Sequence, residues 1–140
     1  ESCTGGMVGA AITEIPGSSA IFDRGFLTYS NDAKIQMLGV KQQTINDHGA
    51  VSEQVAREMA IGALAHSNAH IAVSITGIAG PGGSEHKPEG RVCFGLAIEQ
   101  DTHTETVEFG ALGRQAVRIA STSYAIMMLE KAVDSVSPKK

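Results

Sequence analysis

Lys34 is the residue from which chemistry can first be argued. Asn31 is a helix N-cap candidate, and the pattern runs through Ile35 and Leu38 to Gly39 as a C-terminal stop. Lys34 therefore falls in the first turn, where a cation faces the positive end of the helix dipole at a cost of about 0.3–1 kcal/mol. The same field favours the neutral amine, and burial would lower the lysine pKa further. A neutral lysine is a usable general base, and a serine hydroxyl is a nucleophile that needs one. The serines on offer are Ser2, beside a glycine turn, and Ser18 and Ser19, after Pro16-Gly17. Tyr29 precedes the cap, where its hydroxyl could orient a substrate carbonyl or its ring could stack on a heterocycle.

Two glycine-rich segments could cradle such a site. Residues 77–90 carry five glycines and two prolines and follow a short apolar run, Ile71, Ala72, Val73 and Ile75, that reads as a buried strand. Glycines such as Gly77 and Gly80 at a strand's carboxyl end let main-chain N–H groups approach a phosphate. The segment matches neither a Walker A pattern nor a dinucleotide fingerprint, and a flexible hairpin would have the same composition. Thr4-Gly5-Gly6 opens a helix, and a helix N-terminus after a glycine turn is an anion site.

Other chemistries find less support. His48, His66, His70, His86 and His103 are scattered, and none makes a metal-like pair with a carboxylate at helical spacing. No metal site and no cofactor are expected. Cys3 and Cys93 are too few for a disulfide framework or a thiolate metal site. Cys3 lacks a nearby histidine and reads as a packing residue.

The elements that must position these groups alternate. A helix follows Gly6 and stops at Pro16-Gly17, and residues 25–30 have strand composition. Ser52 caps a helix with Val55, Met59 and Ala63 at helical spacing. Residues 92–98 and 104–109 read as strands joined near Asp101. A long helix spans 116–136. This order predicts an α/β fold, a three-layer α/β/α sandwich around a mixed β-sheet. One domain is expected over 1–140.

Net charge is −4, without a basic stripe, and the aromatics are four Phe and two Tyr with no Trp. That balance argues against a nucleic-acid surface. No apolar run nears the ~18 residues of a membrane span, and no signal peptide opens the chain, so a cytoplasmic protein without a membrane partner is expected.

Taken together, Glu1-Ser2-Cys3-Thr4-Gly5-Gly6, Pro16-Gly17-Ser18-Ser19, Arg24-Gly25-Phe26-Leu27-Thr28-Tyr29-Ser30-Asn31 with Ala33-Lys34, and Thr76-Gly77-Ile78-Ala79-Gly80-Pro81-Gly82-Gly83 resemble the CinA C-terminal domain family. His48-Gly49-Ala50-Val51-Ser52, Lys87-Pro88 with Gly90, and Arg114 with Arg118 extend the resemblance over nearly the whole chain. It implies hydrolytic deamidation of nicotinamide mononucleotide to nicotinic acid mononucleotide and ammonia, by a serine–lysine mechanism without metal. It also implies Ser19 as nucleophile, Lys34 as its base, and Ser2, Thr4, Tyr29, Thr76 and Arg114 around the substrate. A homodimer is expected for so small an enzyme. Alternatives are a non-catalytic nucleotide-binding module and an accessory protein of competence or DNA damage. The chain departs from the family pattern at Glu89, where a small apolar residue is usual, and at Ala111-Leu112-Gly113 before Arg114. A strand and a helix usual ahead of Glu1 are expected to be missing.

Overall fold

The structure, a computed structural model, describes residues 1–136; the last four positions of the expected domain lie outside the described residues. Five helices and three strands follow one another as α1 (Met7–Thr13), α2 (Asn31–Leu38), α3 (Gln42–His48), α4 (Glu53–Ala65), β1 (Ile71–Gly77), β2 (Arg91–Ile98), β3 (Asp101–Glu108) and α5 (Arg114–Val136), with a 3-10 turn at Ser18–Ala20. The fold is α/β, as expected.

The sheet corrects the expectation of a mixed one. Its order is β1-β2-β3, and both pairings are antiparallel. The cause is connectivity: no helix lies between consecutive strands, and parallel neighbours need a crossover of a dozen or more residues, usually helical. Strands β2 and β3 are instead joined through Glu99 and Gln100, with Glu99 at φ +53°. Strand β3 begins at Asp101, earlier than its polar sequence suggested. As an edge strand it buries little: Thr102, Thr104, Glu105 and Val107 are half-buried, and its other residues are exposed.

Side-chain alternation gives the sheet two faces. On one, the Ser74 hydroxyl donates to the Ala56 carbonyl of α4, and Thr104 and Thr106 donate to Glu53. Gly95, paired with Ser74, has no room for a Cβ, which would meet the Ala56 carbonyl and the Ser74 hydroxyl. On the other face Ile75, Val92 and Phe94 pack with Val8 of α1 and Val117, Ala125 and Met128 of α5. Phe94 stacks against Tyr124 at a ring-centroid distance of 4.7 Å, and Phe109 meets Tyr124 edge-on at 6.2 Å. Burying a side chain such as Phe94 contributes about 1.5–3 kcal/mol.

Two local readings also change. Residues 25–30 are extended but form no strand, because their ladder is limited to Glu1: the Glu1 nitrogen donates to Phe26 O at 2.8 Å, and Thr28 N–H to Glu1 O at 2.9 Å. Helix α3 gave no periodic signal, since only Ile45 of its seven residues is buried.

Candidate active site

The Glu1–Ser2 segment is held between the sheet and the extended stretch before α2. Ser2 N–H donates to Ile75 O of β1 at 3.1 Å, while Thr28 N–H holds Glu1 O. Extended backbone sends successive side chains opposite ways, so Cys3 packs into the core with Val8, Ile75 and Ala79, and Ser2 faces a cleft. Ser2 is followed by a tight turn closed by Gly5 N–H onto Ser2 O at 3.1 Å.

Lys34 meets Ser2 from α2. The helix cap is Ser30, whose hydroxyl accepts Ala33 N–H at 3.0 Å, one position before the expected Asn31. Helical side chains lean toward the N-terminus, so Lys34 reaches back over the segment before its own helix. Its Nζ lies 2.8 Å from Thr28 O, 3.1 Å from Tyr29 O and 3.1 Å from the Ser2 hydroxyl. The residue is 1% exposed, with no carboxylate within ion-pairing distance among the described residues. Burial pushes its pKa below the usual 10.5, outweighing the opposite pull of Cys3 and Glu85. The amine's surroundings thus favour the neutral form. Two carbonyls engage two N–H bonds of a neutral amine, leaving its lone pair as the natural partner of the Ser2 hydroxyl.

Ser19 is elsewhere. It sits exposed in the Ser18–Ala20 turn, which packs near α1 and does not line the cleft. All three hydrogen-bonding positions of Lys34 Nζ are taken without it. The serine that the structure brings to Lys34 is Ser2, not Ser19. The reason is tertiary: the Ser2 N–H bond to Ile75 sets which serine faces the lysine.

The cleft has a volume of about 360 Å³ and is lined by Ser2, Tyr29, Lys34, Thr76, Arg114 and residues 77–85 of the glycine loop, toward the small end of ligand sites. Arg114, the first residue of α5, spans its mouth: Nη1 donates to Gly80 O at 2.6 Å and Nη2 to the Tyr29 hydroxyl at 3.1 Å. Tyr29 is 66% exposed, so its ring is open to a ligand while its carbonyl serves Lys34. The Thr76 hydroxyl is already committed to Ala50 O at 2.9 Å. In the loop, Gly80 and Gly82 take φ of +96° and +77°, a region that favours glycine. Glu89 tucks beneath them, its Oε1 accepting Gly82 N–H at 2.6 Å.

Thr4, Gly5 and Gly6 do not line the cleft. The amides that should make an anion site are engaged by Glu1, whose Oε1 accepts Gly6 N–H at 3.1 Å and Val8 N–H at 3.0 Å, and whose Oε2 accepts Gly9 N–H at 3.0 Å. Thr4 is fully buried and donates its hydroxyl to the same carboxylate at 2.7 Å. The anion at this helix N-terminus is therefore an internal one. Sequence reasoning missed both this role of Glu1 and the cleft position of Asn31 and Glu85. A Glu before a glycine turn that opens a helix is the signal that could have found the first.

Cys3 is no rival nucleophile. Burial pushes its thiol pKa up to about 11, which leaves it protonated at neutral pH. A larger hollow of about 550 Å³ lies by Glu53, Lys87, Arg91 and Cys93. Its charged groups are already engaged: Arg91 pairs with Glu108 at 2.6 Å, Glu53 accepts from Thr104 and Thr106, and Lys87 donates to His48 O and Val51 O. It lacks a paired base and nucleophile, which makes the smaller cleft the candidate site. Among the described residues, no group of three or more His, Cys, Asp or Glu is placed to hold a metal ion, and no helix is long and apolar enough to cross a membrane.

Known proteins share this arrangement of chain. The nicotinamide-nucleotide amidohydrolase PncC of Escherichia coli K12 is 55% identical over 130 residues, covering 92% of this chain and 79% of that protein. A CinA-like protein of Chlorobium phaeobacteroides BS1 is 49% identical over 140 residues, covering 96% of this chain but 33% of that longer protein. The competence/damage inducible protein CihA of Agrobacterium tumefaciens superposes with a TM-score of 0.89 at 48% identity, covering 93% of this chain and 80% of that one. The competence damage-inducible protein A of Klebsiella pneumoniae gives a TM-score of 0.92 at 35% identity, covering 97% and 84%. The CinA C-terminal domain model matches residues 1–133, and with sequence and fold in agreement over nine-tenths of its length the chain belongs to that family.

Proposed function

We propose that this chain hydrolyses the carboxamide of nicotinamide mononucleotide to nicotinic acid mononucleotide and ammonia, with Ser2 as nucleophile and Lys34 as general base. The likeness to nicotinamide-nucleotide amidohydrolases supports the substrate. The observation that carries the mechanism is the buried Lys34 amine 3.1 Å from the Ser2 hydroxyl.

In this reading Ser2 Oγ attacks the carboxamide carbon as its proton passes to Lys34 Nζ. The carbonyl oxygen becomes an oxyanion that needs preorganised donors. The Cys3 N–H directly follows the nucleophile, and Cys3 borders the cleft beside Ser2, which makes this amide the candidate donor. Collapse breaks the C–N bond, Lys34 returns its proton to the departing nitrogen, and ammonia leaves. A nicotinoyl ester remains on Ser2. Water, deprotonated by Lys34, attacks that ester, and the proton returns to Ser2 Oγ as the acid product departs. Arg114 is the charge partner for the 5′-phosphate, with Tyr29 against the pyridine ring and Gly77 and Gly80 beside the sugar phosphate.

The same reading keeps the other expectations as proposals: a cytoplasmic homodimer with a small-molecule substrate and no direct contact with nucleic acid. Helices on both faces of the sheet support a three-layer α/β/α architecture, with residues 1–140 as one domain. The test is ammonia release from nicotinamide mononucleotide by the purified protein. Saturable binding without ammonia would make it a nucleotide-binding module instead.

A further inference from the structure

We infer that Glu85 is a specificity-determining residue of the cleft, whose carboxylate selects a substrate with a positively charged ring, an N-glycosylated pyridinium, over its neutral dihydropyridine form. The inference rests on the nicotinamide mononucleotide reading and deepens it. Glu85 is the one carboxylate among the described residues that line the cleft, which it shares with the cations Lys34 and Arg114. A short hairpin delivers it there. Ser84 and Lys87 exchange both main-chain hydrogen bonds, at 3.0 and 2.8 Å, and the residues between them, Glu85 and His86, take φ of +52° and +63°. Lys87 pins this hairpin to the end of α3, its Nζ donating to His48 O at 2.6 Å and to Val51 O.

The carboxylate lies against Gly49, where a Cβ would come within 2.6 Å of Glu85 Oε2, so a missing side chain makes room for it. Gly49 leads into Ala50 and Val51 of the cleft lining, whereas Arg114 is tied to Gly80 and Tyr29. Anion and cation thus stand on different walls of one cleft. Glu85 has no ion-pair partner among the described residues. The cations around it give their N–H groups to other acceptors: Lys34 to Thr28 O and Tyr29 O, Lys87 to two carbonyls, and Arg114 to Gly80 O and the Tyr29 hydroxyl. In two-residue turns with both φ values positive, Asn-Gly is the usual pair. Here an acid holds the tip and faces the cleft with its charge uncompensated.

Nicotinamide mononucleotide matches this distribution of charge. Its phosphate is negative and its pyridinium nitrogen positive, and that nitrogen lies meta to the carboxamide that must meet Ser2 and Lys34. A ring so placed is within the field of Glu85, since that field already reaches Lys34 Nζ, where it opposes the effect of burial. A cationic ring beside Glu85 cancels this pull and leaves the amine to the neutral form that desolvation favours. Arg114 and Glu85 therefore read opposite charges of one substrate. A ligand that keeps the phosphate and loses the ring charge separates the two.

The test measures, by calorimetry, binding of nicotinamide mononucleotide and of its reduced form, whose ring is uncharged. Ser2→Ala protein holds the ligand without turnover, and E85Q and E85K are each added to that background. Both ligands carry the same phosphate, so the ratio of their affinities isolates the ring charge. Ser2→Ala alone should prefer the oxidised form. E85Q should lower that preference about fivefold, the scale of a partly exposed charge pair, and E85K should lower it further. Should neither variant fold, salt takes their place: the preference of the Glu85 protein should shrink from about 50 mM to about 500 mM sodium chloride as the charges are screened. A preference that E85Q leaves within twofold, or one that salt does not move, would overturn the inference. Binding of neither nucleotide would overturn both the inference and the substrate reading. A wild type that shows the charge preference but releases no ammonia would sink the hydrolysis reading and leave the role of Glu85 in place.

Discussion

The Lys34 amine and the Ser2 hydroxyl stand 3.1 Å apart although 32 positions separate them, and the amine's other two contacts are main-chain carbonyls rather than acids. A buried ammonium paired with a carboxylate would be held in its charged form. Here no ion pair among the described residues opposes desolvation, so the amine is pushed toward the neutral state that can accept a serine proton.

The first prediction separates the two serines. Ser2→Ala should reduce kcat by at least about 10³-fold, since the nucleophile of a covalent mechanism has no substitute nearby. Ser19→Ala, on an exposed turn, should leave kcat and KM within about twofold of wild type. Steady-state ammonia release measures both. A silent Ser2→Ala and an inactive Ser19→Ala would exchange their roles.

How much of this could be read from the sequence divides along local and non-local lines. Lys34, Tyr29, Gly77 and Gly80 carried local signals, a helix start or a glycine loop after a buried run, whereas Arg114 came from the family resemblance alone, and the structure gathers all five at one cleft. Ser52 was legible as a cap for the same reason, and its hydroxyl accepts Val55 N–H at 3.2 Å. The partner of Lys34 was not legible, because it depends on a single bond from Ser2 to Ile75 across about half of the chain. The Thr4-Gly5-Gly6 turn misled for a related reason: its amides do meet an anion, but the anion is a side chain a few residues away. The sheet was misread because alternating helix and strand composition implies crossovers, and residues 25–30 have strand chemistry without a ladder to join.

A second prediction concerns pH. The neutral Lys34 amine is the active form, so kcat/KM should rise with pH along a limb governed by a pKa below the usual lysine value of 10.5 and be lost as pH falls through it. Stability follows the same sign. Below the depressed pKa the buried ammonium's full cost is present, and it is relieved as pH rises from that value toward 10.5. Lys34→Met should abolish turnover at every pH and remove this part of the pH dependence of unfolding. A flat kcat/KM profile between pH 5 and about pH 10 would contradict a titrating base at position 34.

A third prediction assigns the phosphate. Arg114 joins the glycine loop to Tyr29 through Gly80 O and the phenol. Arg114→Ala should raise KM for the nucleotide about tenfold or more, as expected for loss of a charge-assisted contact, and change KM for the riboside by less than about threefold. Tyr29→Phe removes only the phenol from this bridge and should have a smaller effect on the nucleotide. Equal losses for nucleotide and riboside would mean that Arg114 shapes the cleft without reading the phosphate.

The last prediction tests Glu1, whose carboxylate gathers the Thr4 hydroxyl and the Gly6, Val8 and Gly9 amides at the start of α1. Burial alone would push its pKa up, but the hydrogen bonds from Thr4, Gly9 and Val8 outweigh it, and the net shift is downward. A depressed carboxylate contributes stability that is fully present above its unfolded value near 4.5 and is lost as pH falls through the folded value. Glu1→Gln keeps the shape but not the charge, and its amide nitrogen cannot accept the bonds that one carboxylate oxygen now takes. At neutral pH it should cost about 1–3 kcal/mol, the penalty for buried donors left unsatisfied. The cost should shrink as the wild type itself protonates in acid. Urea unfolding of both proteins at pH 7 and pH 3 measures the difference. A cost that stays constant between those two pH values would show that the charge of Glu1 does not hold the turn that carries Ser2.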